Sequence, residues 1–114
     1  MKHDKIQIND KQYRIEFNWN ALANFLEAEN LKLSEIDKLE ELSAKMVTAL
    51  IYEGVKEGAR MQGDEFNFTK EDFGANISTT DVAAMLMIYR RQSEVKTTVA
   101  DNHSPKKKLT IFKR

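Results

Sequence analysis

Apolar and polar positions alternate along residues 6–17 and then change period. Ile6 and Ile8 fall on one side of an extended segment, and after Asn9-Asp10-Lys11 the run from Gln12 places Tyr13, Ile15 and Phe17 on one side with polar residues between them. A period of two is that of a half-buried strand, so the segment predicts a β-hairpin. Asn9 and Asp10 are residues that tolerate the turn conformations such a connection needs. A two-stranded hairpin is marginal alone, and its apolar face must pack on helices. Asn18 is placed to cap the next element by accepting from the unpaired amides of a first turn. Trp19, Leu22, Phe25 and Leu26 then recur at helical spacing, with Asn30 as a left-handed stop. In this pattern Trp19 reads as a core anchor, with a role in an exposed partner site as its alternative.

Leu31, Leu33 and Ile36 form a short apolar connector. From about Lys38 to Gln62 a proline-free stretch repeats Leu39, Leu42, Met46 and Leu50 at threes and fours, with Val47, Ala49, Ile51 and Val55 one face over. This predicts a helix about 37 Å long, enough for one end to protrude or to pack on another subunit. Gly54 and Gly58 cost helix stability; fraying toward Gly63 is the favoured reading, with a close helix crossing as its alternative. Beyond the loop at Gly63-Asp64-Glu65, Phe66 and Phe68 point to one side of a short extended piece, and Thr69 opens a short helix anchored by Phe73. Ser78 starts a last helix running to about Ser93, through Val82, Met85, Leu86 and Tyr89. Because this run is apolar almost all round, it is expected at the centre of the core, unless its second face, with Met85, Met87 and Ile88, serves a partner.

These elements define a mainly α (α+β) domain over residues 1–93, an N-terminal β-hairpin packed on about four helices, one of them long. Residues 94–114 form a basic tail expected to be flexible, with Leu109, Ile111 and Phe112 near its end. The chain of 114 residues is long enough for one core. Its formal charge is zero, yet residues 94–114 hold six bases against two acids, and residues 1–93 hold 12 bases against 16 acids. An acidic body with a basic tail disfavours nucleic acid as the main partner, although Lys106 to Lys108 can meet phosphates and Phe112 can stack on a base. No apolar run approaches the ~18 residues that span a bilayer, and the amino terminus lacks a secretory pattern, so neither a membrane role nor export is expected.

Candidate chemistry is sparse. There is no cysteine, which excludes thiol nucleophiles and cysteine-based metal sites. The two histidines, His3 and His103, lie in the segments least expected to be ordered. None of the spacings that cradle a nucleotide, hold zinc or present an activated serine occurs. The carboxylate pairs Asp64/Glu65 and Glu71/Asp72 are accounted for by solubility and by the first-turn dipole. The expectation is a protein that is not an enzyme, with no cofactor and no metal.

One resemblance gives these elements a direction. The hairpin with Tyr13-x-Ile15-x-Phe17, the run Asn20-Ala21-Leu22-x-x-Phe25-Leu26-Glu27, the Asn30-Leu31-x-Leu33 connector, the helix containing Leu50-Ile51-Tyr52-Glu53-Gly54, and Phe68-Thr69-x-Glu71-Asp72 resemble the tail assembly chaperones of long-tailed bacteriophages and prophages. The resemblance covers about residues 5–92. That family commonly has a glycine where the first helix ends; this chain has Asn30. The resemblance implies a non-enzymatic role in the bacterial host cytoplasm: binding the helical, hydrophobic tape measure protein, in some cases tail tube subunits, and keeping it soluble until the tube forms. Candidate partner-binding residues are the exposed parts of the faces around Met46, Ile51, Met85, Met87 and Ile88, together with Leu109, Ile111 and Phe112, although at least half of the first five are expected in the core. A homo-oligomer, a nucleic-acid-associated regulator using the tail, and a structural subunit of a tail or connector stand as alternatives.

Overall fold

The structure, a computed structural model, describes residues 3–35 and 41–101, and of 94–101 the backbone alone. Two strands, β1 (Lys5–Ile8) and β2 (Lys11–Arg14), precede four helices, α1 (Trp19–Ala28), α2 (Ala44–Gln62), α3 (Lys70–Ala75) and α4 (Thr79–Asp101). The strands pair antiparallel with Ile6 opposite Tyr13 and Ile8 opposite Lys11. Asn9 closes the turn with φ 58°, the positive φ that tight hairpin turns require at their first central position. Ile8, Tyr13, Ile15 and Phe17 are buried, as the alternation predicts.

Side-chain caps set the helix starts. Asn18 Oδ1 accepts from Ala21 N–H at 3.0 Å, Ser43 Oγ from Met46 N–H at 3.3 Å, and Thr69 Oγ1 from Asp72 N–H at 3.1 Å. Ser78 and Asp81 cap reciprocally: Ser78 Oγ accepts from Asp81 N–H and Asp81 Oδ2 accepts from Ser78 N–H. Asn30 takes the left-handed conformation usually reserved for glycine, at φ 56°.

The long helix starts later than its periodicity predicts. Ser43 caps it, so α2 has 19 residues and spans about 28 Å; residues 38–40 lie outside the described part. It ends at Gly63, whose φ of 77° lets Asp64 N–H reach Ala59 C=O at 2.9 Å. This helix, and not α4, is the centre of the fold. Between Ala49 and Ala59 all but Tyr52 and Lys56 are buried, whereas α4 buries only Met85 and Ile88 among its described side chains. The apolar composition of α4 misleads because Ala83 and Met87 lie off its packed stripe.

Gly54 and Gly58 do not mark fraying; the hairpin lies on them. A Cβ on Gly58 would sit 2.0 Å from Arg14 C=O, and one on Gly54 would sit 2.4 Å from the Phe17 ring. The close approach lets Glu16 N–H donate to Gly54 C=O at 3.0 Å, a strand-to-helix backbone bond. Beside this contact, Phe66 and Phe68 join Tyr13, Tyr52 and Phe73 in a cluster of rings 5.5–6.3 Å apart. Tyr52 Oη donates to Phe68 C=O at 2.8 Å and fixes the 64–69 connection, which forms no strand.

Candidate functional site

Trp19 is the first residue of α1 and does not anchor the core; it is 58 % exposed. The reason lies in the helix stripe. Trp19, Leu22 and Leu26 follow one another at three and four residues, and exposure falls along the row from Trp19 through partly buried Leu22 to buried Leu26. The stripe therefore runs off the core at its amino-terminal end. What it borders there is a groove between α1 and α4, with Trp19 and Leu22 on one wall, Tyr89 and Ser93 on the other, and Phe17, Asn18 and Leu50 completing the lining. Phe17 and Tyr89 meet edge to face at 5.1 Å, which stiffens the end of the groove.

Polar contacts add to the buried side chains that hold the two walls. Asn18 Nδ2 donates to Glu57 at 2.8 Å and Asn20 Nδ2 to the same carboxylate oxygen at 3.3 Å, tying the start of α1 to α2. Glu57 also receives Arg60 through two bonds of 2.9 and 2.7 Å. The Arg60 bonds, followed by those from the two asparagines, draw the Glu57 carboxyl down to about 2 against its burial. On the other wall Gln92 bridges α4 to the hairpin. Its Oε1 accepts from Phe17 N–H at 2.7 Å while its Nε2 donates to Asp4 at 3.0 Å and to Ile15 C=O at 3.3 Å, and Arg91 pairs with Asp4.

The groove encloses about 230 Å³. That is below the ~300–1,000 Å³ of typical small-molecule sites and suits protruding side chains better than a cofactor. A second, shallower cleft of about 520 Å³ lies between α2 and α3, lined by Lys45, Thr48, Lys70 and Glu71. Lys70 is engaged there with Glu29 at 3.1 Å. Among the described residues no group of three metal-ligating side chains comes together, and no helix is long and apolar enough to cross a membrane.

The residues singled out from sequence do not form one surface. Ile51 and Met85 are fully buried and Ile88 nearly so, all three in the common core cluster, where the sequence reading places at least half of the five helix residues. Met46 is half-buried in the first turn of α2, and Met87 is 65 % exposed on the outer side of α4; neither lines the groove. Leu109, Ile111 and Phe112 lie outside the described residues. Asp64, Glu65, Glu71 and Asp72 are exposed, as expected of solvated acids. The buried carboxylates are instead Glu53 and Glu57, which the helical pattern of α2 presents as polar positions with nothing to mark them. Glu53 is 5 % exposed and its Oε1 has no hydrogen-bond partner among the described residues, and burial pushes its carboxyl up. The signal that could have revealed the groove is the place of Trp19 directly after the cap, where a helical side chain leans toward a preceding turn that does not exist.

Compared with known proteins, the chain matches no family model, no curated protein and no solved structure.

Proposed function

We propose that this chain is a non-enzymatic phage or prophage tail assembly chaperone. It acts in the host cytoplasm by holding an apolar helical segment of the tape measure protein, with tail tube subunits as a second client. The observation that carries the reading is the α1–α4 groove with the exposed Trp19 on its rim. Helix-in-groove recognition uses apolar anchors from one face of an amphipathic helix, and an open apolar slot walled by two helices is the receptor side of that arrangement. Large aromatics such as Trp dominate the energetics of such interfaces. The sequence resemblance to tail assembly chaperones supplies the identity of the client.

The test is co-expression of the full chain with the tape measure protein of the same phage, followed by pull-down and measurement of soluble client. The wild-type chain is expected to render the client soluble, and Trp19→Ser or Leu22→Asp to abolish complex formation. Trp19→Ser should change the unfolding midpoint little, because the side chain is already mostly in water. Absence of complex and of rescue with the wild-type chain overturns the reading.

A further inference from the structure

Met61 stands in the last turn of α2 at 43 % exposure and outside the core cluster, so burial does not explain a thioether there. Its sulfur has a different engagement: it accepts a hydrogen bond from Asn18 Nδ2 at 3.5 Å. Of the described methionines, Met61 alone offers its sulfur in this way; Met87, the other exposed one, does not.

Asn18 is a junction of three contacts. Its Oδ1 caps α1 by accepting from Ala21 N–H at 3.0 Å, and its Nδ2 donates to the buried Glu57 at 2.8 Å as well as to Met61. A side-chain amide has two protons on nitrogen, so Glu57 takes one and the sulfur the other. Thioether sulfur is a weak acceptor, which makes the Met61 contact the loosest of the three. Oxidation to the sulfoxide puts a polar oxygen on that sulfur. The oxygen can take the same proton without competing with Glu57, because the second proton is already directed at Met61. The flexible, half-exposed side chain needs only to step back slightly to make room for it.

We propose that Met61 is a site of reversible oxidation by small hydroperoxides, and that its sulfoxide holds Asn18, and with it the start of α1, more firmly than the thioether does. With hydrogen peroxide the sulfur lone pair attacks one oxygen, the O–O bond breaks as the S–O bond forms, the proton passes to the departing oxygen, and water leaves. Sulfur loses two electrons and the peroxide gains them. A methionine sulfoxide reductase with a dithiol reverses the step, the oxygen leaving as water and the dithiol becoming a disulfide. Oxidation inside a core disrupts packing; at Met61 the sign is opposite, because the modified atom lies against a donor and not against apolar neighbours. Asn18 also lines the α1–α4 groove, so the modification acts at its rim. The inference does not rest on the chaperone reading.

The experiment treats the full chain carrying Met46→Leu and Met87→Leu with hydrogen peroxide, maps the oxygen by peptide mass, and follows urea unfolding by circular dichroism. Met61 is expected to gain one oxygen while Met85, fully buried, stays reduced. The unfolding equilibrium constant should fall about two- to tenfold, the range of one net hydrogen bond, and the reductase should restore it. Peroxide should leave the stability of the Met61→Leu chain unchanged. Asn18→Ser keeps a capping hydroxyl and removes Nδ2, and there oxidation is expected to bring no gain. Met61→Gln supplies an acceptor oxygen without any oxidant, and should be more stable than Met61→Leu, which decides the matter should Asn18→Ser not fold. Equal or lower stability of the oxidised chain overturns the proposal, as does a gain of the same size in Asn18→Ser. So does Met61→Gln no more stable than Met61→Leu, or a wild-type chain in which peroxide oxidises Met87 and spares Met61.

Discussion

At Gly58 the usual effect of a helical Gly→Ala change is reversed. Alanine in a helix interior ordinarily gains about 1 kcal/mol over glycine, but here a Cβ would meet the Arg14 carbonyl at 2.0 Å, and backbone cannot rotate aside. Gly58→Ala is expected to lose about 3 kcal/mol or more, the upper end of overpacking. Gly54→Ala meets a ring that can shift, and should lose about 1 kcal/mol; urea unfolding of both variants checks the order. The two buried acids pull in opposite directions with pH. Glu57, held at about 2, contributes stability that is complete above the ordinary carboxylate range and disappears as pH falls from about 4.5 toward 2. Glu53 is shifted upward by burial, so its contribution falls as pH rises from the ordinary range through its raised value. Glu53→Gln is therefore expected to raise the unfolding midpoint at neutral pH, since a neutral amide is cheaper to bury than a carboxylate. Glu57→Gln should lower the unfolding free energy by about 1–3 kcal/mol, by breaking hydrogen bonds to a charged acceptor, and should flatten the loss between pH 4.5 and 2. Neither acid was legible in the sequence. Both occupy polar positions of an amphipathic pattern, and only the packing of the hairpin and α1 against α2 turns those positions inward.

At the scale of elements, local chemistry wrote the boundaries where a side chain makes them. Asn18, Thr69 and Ser78 begin their helices as their types predict, and Asn30 ends its own. The start of α2 escaped because residues 38–42 carry the same three-and-four spacing as the helix proper, and Ser43 outweighs that spacing by satisfying the Met46 amide. The groove escaped for a related reason: periodicity tells which face of α1 is apolar but not how far the core extends along it. Helix α4 is fastened to the hairpin by Gln92 more than by continuous apolar contact. Gln92→Ala removes the partner of a Phe17 amide and should cost about 1–3 kcal/mol. Hydrogen exchange is expected to show the added opening in α4 and at Phe17, with the centre of α2 unchanged.

At the scale of the whole molecule, the mainly helical architecture with an N-terminal hairpin follows from the change of period after Phe17, and the structure has that architecture. What composition could not rank is which helix lies at the centre. The run 82–89 of α4 is apolar almost all round, yet α2 is the one enclosed, because its glycines admit the strand backbone that larger residues would hold off.

That enclosure also orders events during synthesis. The surface on which β2 rests belongs to residues 54 and 58, so the hairpin's backbone partner leaves the ribosome roughly forty residues after the hairpin itself, a delay of about two to eight seconds at ordinary translation rates. For that interval Ile8, Tyr13 and Ile15 lack α2 to cover them, and the nascent chain exposes apolar surface that the folded protein buries.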